Sequence, residues 1–255
     1  MSLIRSVWRR LARIPYGAKH QCVICGRRVQ SFLPYLGGSR SVPVLQRELK
    51  TVGSDPDHFE CPACGCHDRE RHAWMYLSAL DLVQYWRGRT ILHFAPERSL
   101  RTLITAQRPE RYVCGDLYPH ESGVSQMNIE AIPYADETFD FIIANHVLEH
   151  VDSPIKALHE ITRCLKNGGY ALLQTPYSIR LTHTLEDAGI ESPMARLHAY
   201  GQEDHCRLFG NDVFEVLTST GLISLQRTHD ELLSHLDPVR LGVNVNEPLM
   251  LFQKK

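Results

Sequence analysis

From residue 90 onward the chain alternates short apolar runs with amphipathic ones, and this alternation restricts the fold more than any other feature. "TILHFA", "RYVCGD" and "YALLQTP" are expected strands, and "FDFIIA" is a strand buried on both faces before "NHVLEH". "MNIEAI" is a short strand segment, and "LISLQRT" and "EPLMLFQKK" are closing strands. Between them "ERSLRTLITAQ", "SPIKALHEITRCLKNGG" and "GNDVFEVLTSTG" are expected helices. The second has Ser153 as N-cap, Pro154 in its first turn and Gly168 after its end. Strands alternating with helices imply a mostly parallel, doubly wound α/β sheet. Residues 177–209 interrupt it with an irregular, histidine-rich stretch.

The first third of the chain obeys a different logic. "CVICG" (Cys22, Cys25) and "CPACG" (Cys61, Cys64) are two tight turns, each followed by a glycine that permits a positive φ. Two such knuckles bring four thiolates to one tetrahedral Zn2+ ion, and a closed four-thiolate sphere is structural. Cys66 and His67 lie close enough to replace a ligand. A redox CxxC would open a helix in a thioredoxin-like unit, which these glycine-followed pairs fit poorly. Cys114, Cys164 and Cys206 fit as small buried residues. The expected division is a basic arm and zinc-ribbon module over 1–67, a linker helix over 68–88 and the α/β domain over 89–255. The helix carries Trp74, Leu77, Leu80, Leu82 and Tyr85 at helical spacing, with Gly88 at its end.

Charge is unevenly spread. Residues 1–50 hold ten Lys/Arg against Glu48 alone, a net +9, so a total of −1 leaves −10 on the remainder. A basic arm on an acidic body suits an anionic partner, or is simply a solvated face. Leu3, Ile4, Val7, Trp8 and Leu11 share one side of an expected short helix. The sequence holds no run of 18 apolar residues and no secretory signal, so a cytoplasmic protein is expected.

The block "NIEAIPYADETFDFIIANHVLEHV … LKNGGYALLQTP", with Asp116 closing "YVCGDLYP", resembles class I S-adenosylmethionine-dependent methyltransferases of the type-11 branch. The likeness runs over 90–175 and implies a Rossmann-like sheet of seven strands binding S-adenosylmethionine. That family commonly has an acid and a glycine-rich turn after the first strand. Here His93 stands at the acid position and the turn is Ala95-Pro96-Glu97-Arg98-Ser99. The cofactor has no pyrophosphate, so a glycine-free turn is tolerable, and Glu97 with backbone amides can meet its zwitterionic head. "LHFAPE" and "GQEDHCRLFG" (201–210) also resemble one subgroup of the family. By position the resemblance puts Asp116, followed by Leu117, at the ribose, and Asn128 and Ile129 at the adenine. It puts Asn145 and His146 beside the sulfonium.

In-line methyl transfer needs the acceptor held in line, and a base where the acceptor is a hydroxyl or amine. His146, Glu149, His150 and His205 are the candidate bases, with Arg207 as a bidentate anion binder. Glu203 and Asp204 are placed to orient His205, and Tyr177, His183, Glu186, Asp187 and His198 share the same stretch. The subgroup resemblance implies O-methylation of a small molecule or glycan precursor. Two alternatives stand beside it: an RNA base methyltransferase gripping phosphates through the basic module, and a non-catalytic cofactor-binding scaffold. The sequence leaves the oligomeric state open.

Overall fold

The structure, a computed structural model, describes residues 9–13 and 17–255. Leu3, Ile4, Val7 and Trp8 of the expected N-terminal helix lie outside the described residues; Leu11 is exposed and Ala12 buried.

Eleven strands form among the described residues: β1 His20–Gln21, β2 Arg28–Val29, β3 Thr51–Val52, β4 Thr90–Phe94, β5 Arg111–Asp116, β6 Ser125–Gln126, β7 Phe139–Ala144, β8 Leu165–Leu172, β9 Tyr177–Ser178, β10 Leu222–Ser224 and β11 Leu251–Lys254. Seven make one sheet in the order β10-β11-β8-β7-β4-β5-β6, parallel except for β11. This is the doubly wound, Rossmann-like sheet expected from the alternation. Its central strands are buried on both faces. Leu92, Phe94, Ile142 and Ala144 pack under the Pro154–Cys164 helix, while Ile91, Phe141 and Ile143 pack under the Asp68–Ala79 and Arg98–Ala106 helices.

Three local readings change. The Pro154–Cys164 helix stops before Gly168, because Leu165 already pairs with Phe139 as the first residue of β8. The third parallel strand is Ser125–Gln126, and "MNIEAI" is the loop that follows it, with Met127, Ile129 and Ile132 turned into the core. Within 68–88 the helix runs Asp68–Ala79, then breaks at Asp81 (φ 57°) before the Leu82–Tyr85 turn. That helix buries Ala73, Met75, Tyr76 and Leu77 on the sheet, with Trp86 beyond it, so it is a layer of the fold rather than a tether.

The cysteine module is sewn into the same body. β3 pairs antiparallel with β9, His20 Nδ1 lies 2.9 Å from the Val239 carbonyl, and Asn244 donates to Gly53 O. The 177–209 stretch gains order from β9 and the Pro193–Tyr200 helix. Among the described residues no helix is long and apolar enough to cross a membrane.

Candidate functional site

In an open parallel sheet a crevice opens where the winding direction reverses. Here that point lies between β4 and β7, whose last paired residues are Phe94 and Ala144. The next residues depart from the strands in the same unusual way. Ala95 takes φ 44° while its N–H donates to Gly115 O (2.9 Å). His146 takes φ 53° while its N–H donates to Gln174 O (2.7 Å). A left-handed residue with a Cβ costs roughly 1 kcal/mol. Two such residues at adjacent strand ends put backbone strain at this rim, in the place where a ligand would sit.

Glu97 is the charged group aimed at this rim. His93 is fully buried and spans Tyr112 (Nδ1···Oη 2.8 Å) and Glu97 (Nε2···Oε2 2.8 Å). Both ring nitrogens are thus engaged, so His93 positions Glu97 rather than meeting a ligand itself. Asn145 Nδ2 donates to the other Glu97 oxygen at 3.4 Å, and Asn145 Oδ1 is buried with no partner. Burial pushes the Glu97 carboxyl up, but the hydrogen bond and charge of His93 outweigh it and hold it below the usual range. Asp116 closes β5 half-buried, with Oδ1 accepting Tyr118 N–H, and Leu117 and Tyr118 after it are exposed. Asn128 is exposed and caps Glu130 N–H, whereas Ile129 is buried.

The first turn of the Asp68–Ala79 helix faces this rim and was not legible as part of it. Glu70 accepts from His67 N–H (2.7 Å) and from Ser99 N–H (3.2 Å), which locks the helix start to the turn after β4. Between them lies a cavity of about 350 Å³, lined by Glu97, Arg98 and Ser99 on one side and by His67, Arg69, Cys64 and Gly65 on the other. Burial draws the His67 imidazole down to about 4. Behind the rim a chain of buried titratable groups runs from His146 to Glu247 (3.9 Å), His72 (3.7 Å from Glu247) and His229 (2.9 Å from His72). The bare "DRERH" run was the only signal for Arg69 and His72; nothing local marked Glu247.

The acceptor-side residues separate into two roles. Arg207 is buried, and all its donors are used: Glu186 takes Nε and Nη2 (2.9 and 3.0 Å), and the carbonyls of Leu148, Val151 and Asp152 take the rest. No donor of Arg207 remains for a substrate anion, so it staples the 201–210 loop to the turn after β7. Glu149, His150 and His205 do converge. Glu149 is buried, receives Thr175 Oγ1 (3.0 Å) and faces His146 Nδ1 (3.4 Å). Burial raises its carboxyl, but the hydrogen bond and charge of His146 draw it down to about 2. Asp204 pairs with His150 (3.3 Å), not with its neighbour His205, whose Nδ1 lies 3.0 Å from Tyr200 O. Burial lowers the His205 imidazole.

The two cysteine turns are copies of one geometry. Gly26 (φ 70°) donates to Cys22 O and Gly65 (φ 83°) to Cys61 O, at 2.8 and 2.9 Å. The sulfurs of Cys22, Cys61, Cys64 and Cys66 lie within 4.8 Å of one another, so the tightest set holds Cys66 where the spacing pointed to Cys25. Cys25 touches the Cys64 thiol from outside that set. Arg71 is fully buried beside it with no carboxylate bonded. Its donors go to the carbonyls of His58, Phe59, Cys66, Leu241 and Gly242, and Nη1 lies 3.9 Å from Cys66 Sγ. A buried guanidinium needs negative charge nearby, and four thiolates around a divalent ion carry a net double negative charge. The donor set therefore fits a structural Zn2+.

Residues 90–173 match the family described as "Methyltransferase domain". A methyltransferase of Mycolicibacterium paratuberculosis is 30% identical over 100 residues, 36% of this chain and 38% of that one. A protein of Methanocaldococcus jannaschii is 52% identical over 71 residues, 28% of this chain and 26% of that one. The chain thus spans well under half the length of these relatives. Among solved structures, an S-adenosylmethionine-dependent methyltransferase of Mesorhizobium loti superposes with a TM-score of 0.45 at 10% identity, over 70% of this chain and 97% of that one.

Proposed function

We propose that the chain is an S-adenosylmethionine-dependent methyltransferase acting on an oxygen of a small molecule or glycan precursor. One observation carries this reading: the strained, acid-bearing rim at the β4/β7 reversal, within a segment that matches methyltransferase domains. The groups left over at that rim suit a zwitterionic head. Glu97 and the orphan Asn145 Oδ1 are acceptors for an ammonium group, and the orphan Arg69 Nε–H is a donor for a carboxylate. Asp116, at the end of the neighbouring strand β5, accepts from the ribose hydroxyls.

Bound S-adenosylmethionine supplies an activated methyl for displacement. The work left to the protein is alignment and proton removal. His146, with its backbone held by Gln174 O and its ring between Glu149 and Glu247, keeps Nε2 buried without a hydrogen-bond partner just behind the rim. Such a group accepts the acceptor's proton as the oxygen attacks, an effect worth roughly 10²–10⁴ in rate. The polar acceptor side, with His146, His150 and Glu149, suits a hydroxyl better than an apolar carbon acid.

Calorimetry with S-adenosylmethionine and its demethylated product tests the reading. Asp116→Ala weakens binding by about 1.5–3 kcal/mol, the scale of hydrogen bonds to a charged group. Transfer of label from tritiated cofactor to a hydroxyl-bearing metabolite pool follows in the parent chain. Binding without any turnover would leave a scaffold; no binding would end the proposal.

A further inference from the structure

We propose that Glu149, His150 and His205 form a binding site for a divalent metal ion of the Mn2+/Fe2+ class on the acceptor side. The three side chains come from two segments, the turn after β7 and the 201–210 loop, and their ligand atoms all lie within 4.8 Å of one another. Two imidazoles and one carboxylate are the donor set that suits such ions, and a set of three leaves coordination positions open.

The strongest indication is the state of His205. The side chain is 3% exposed, and Nδ1 lies 3.0 Å from the carbonyl of Tyr200. A carbonyl only accepts, so Nδ1 carries the proton and Nε2 carries the lone pair. That Nε2 is buried with no partner. An imidazole tied back through Nδ1, with a bare Nε2 and with a carboxylate and a second imidazole beside it, is the usual arrangement of a metal-ligating histidine. His150 Nδ1 lies 3.3 Å from Asp204 Oδ2, so a proton on Nδ1 leaves Nε2 as its lone-pair nitrogen. Glu149 is fixed in turn by Thr175 Oγ1 on one oxygen and faces His146 on the other.

The backbone is braced to the same end. Cys206 N–H donates to Glu149 O (2.9 Å), and buried Arg207 ties the 201–210 loop to the carbonyls of Leu148, Val151 and Asp152. Such bracing holds ligands from two segments in register before any ion arrives. His150 is the half-exposed member, so the ion and a further oxygen ligand enter from its side. Resting on the methyltransferase reading, that open position takes the acceptor hydroxyl and lowers its pKa beside His146. The proton leaves the hydroxyl for the imidazole as the new oxygen–carbon bond forms and the sulfur–carbon bond breaks.

The test uses the full chain with its cysteine cluster loaded with Zn2+, titrated with Mn2+ while the free-ion paramagnetic resonance signal is followed. One saturable Mn2+ per chain is expected. His150→Ala and His205→Gln each weaken uptake by roughly tenfold or more, while Cys25→Ala leaves it unchanged. Circular dichroism checks each variant; if His205→Gln does not fold, half-exposed His150 decides alone. No saturable uptake, or uptake unchanged in His150→Ala, overturns the site. Cofactor calorimetry runs beside it. Cofactor binding without Mn2+ uptake defeats only the metal site, whereas Mn2+ uptake without cofactor binding defeats only the methyltransferase reading.

Discussion

The cysteine knuckles and the rim of the sheet both reverse the chain through left-handed backbone, but they do so with different residues. Each knuckle uses a glycine, Gly26 at φ 70° and Gly65 at φ 83°. The rim uses Ala95 at φ 44° and His146 at φ 53°. At the knuckles nothing but the turn is needed, so the chain takes the residue that turns without strain. At the rim a residue with a side chain takes the same conformation at a cost of about 1 kcal/mol. The missing glycine after β4 is thus a turn of the same geometry made without one.

The largest effect that sharpens this contrast is loss of the thiolate cluster. Chelation of a structural Zn2+ site removes folding free energy outright. A loss of about 4 kcal/mol or more lowers the Tm by roughly 10 °C in a domain of this size. Cys66→Ser does the same by deleting a buried sulfur of the tight set, whereas Cys25→Ser costs only about 1 kcal/mol. Metal analysis and thermal melts on the two variants read this directly. Equal losses would return the ligand set to the four cysteines of the CxxC pairs.

A smaller effect separates the two kinds of turn. A Cβ on Gly26 would meet nothing within 4 Å, and one on Gly65 only Arg9 Nη2 at 3.7 Å. Gly26→Ala and Gly65→Ala therefore cost backbone strain alone, about 1 kcal/mol each. Ala95→Gly relieves similar strain but loosens the unfolded chain, so the net change stays within about 0.5 kcal/mol. Urea denaturation resolves both. A clear stabilisation in Ala95→Gly would mean the rim stores more strain than its φ implies.

The long central strands and the knuckle turns were legible because their signals are local, while two-residue strands such as Ser125–Gln126 were not: "RYVCGD" is β5 and each CxxC is followed by a left-handed glycine. The helix end at Cys164 was not, because pairing of Leu165 with Phe139 overrides helix preference that continues to Gly168. Partnerships across long separations were the least legible. Glu247 meets His72 and His146 from far along the chain, and Asp204 turns from its neighbour His205 to His150. Glu97 was readable as a charged turn residue, yet the reason it stays aimed, His93 backed by Tyr112, appears only when two strands lie side by side.

The smallest effect compares two His–carboxylate pairs of the same chemistry, Asp55–His58 on the module and Glu97–His93 at the rim, both at 2.8 Å. The hydrogen bond that His58 donates to Asp55 raises the His58 imidazole above its usual value, with the charges of Asp55 and Asp57 adding and burial and Arg71 opposing. Its stabilisation is complete below the unfolded value near 6.5 and is lost as pH rises through the higher folded one. For Asp55 burial acts upward, but His58 outweighs it and lowers the carboxyl, so that contribution is lost as pH falls through the lowered value. Because the pair is partly solvent-screened, the alkaline loss is at most about 0.5 kcal/mol. Glu97 is also lowered, so its contribution persists through that alkaline step and fades only in acid. Chemical denaturation across pH 6–9 in the parent and in His58→Gln checks this: the shallow alkaline decline should vanish in the variant. A decline that survives His58→Gln would place its origin at another group and remove the module pair from the pH response.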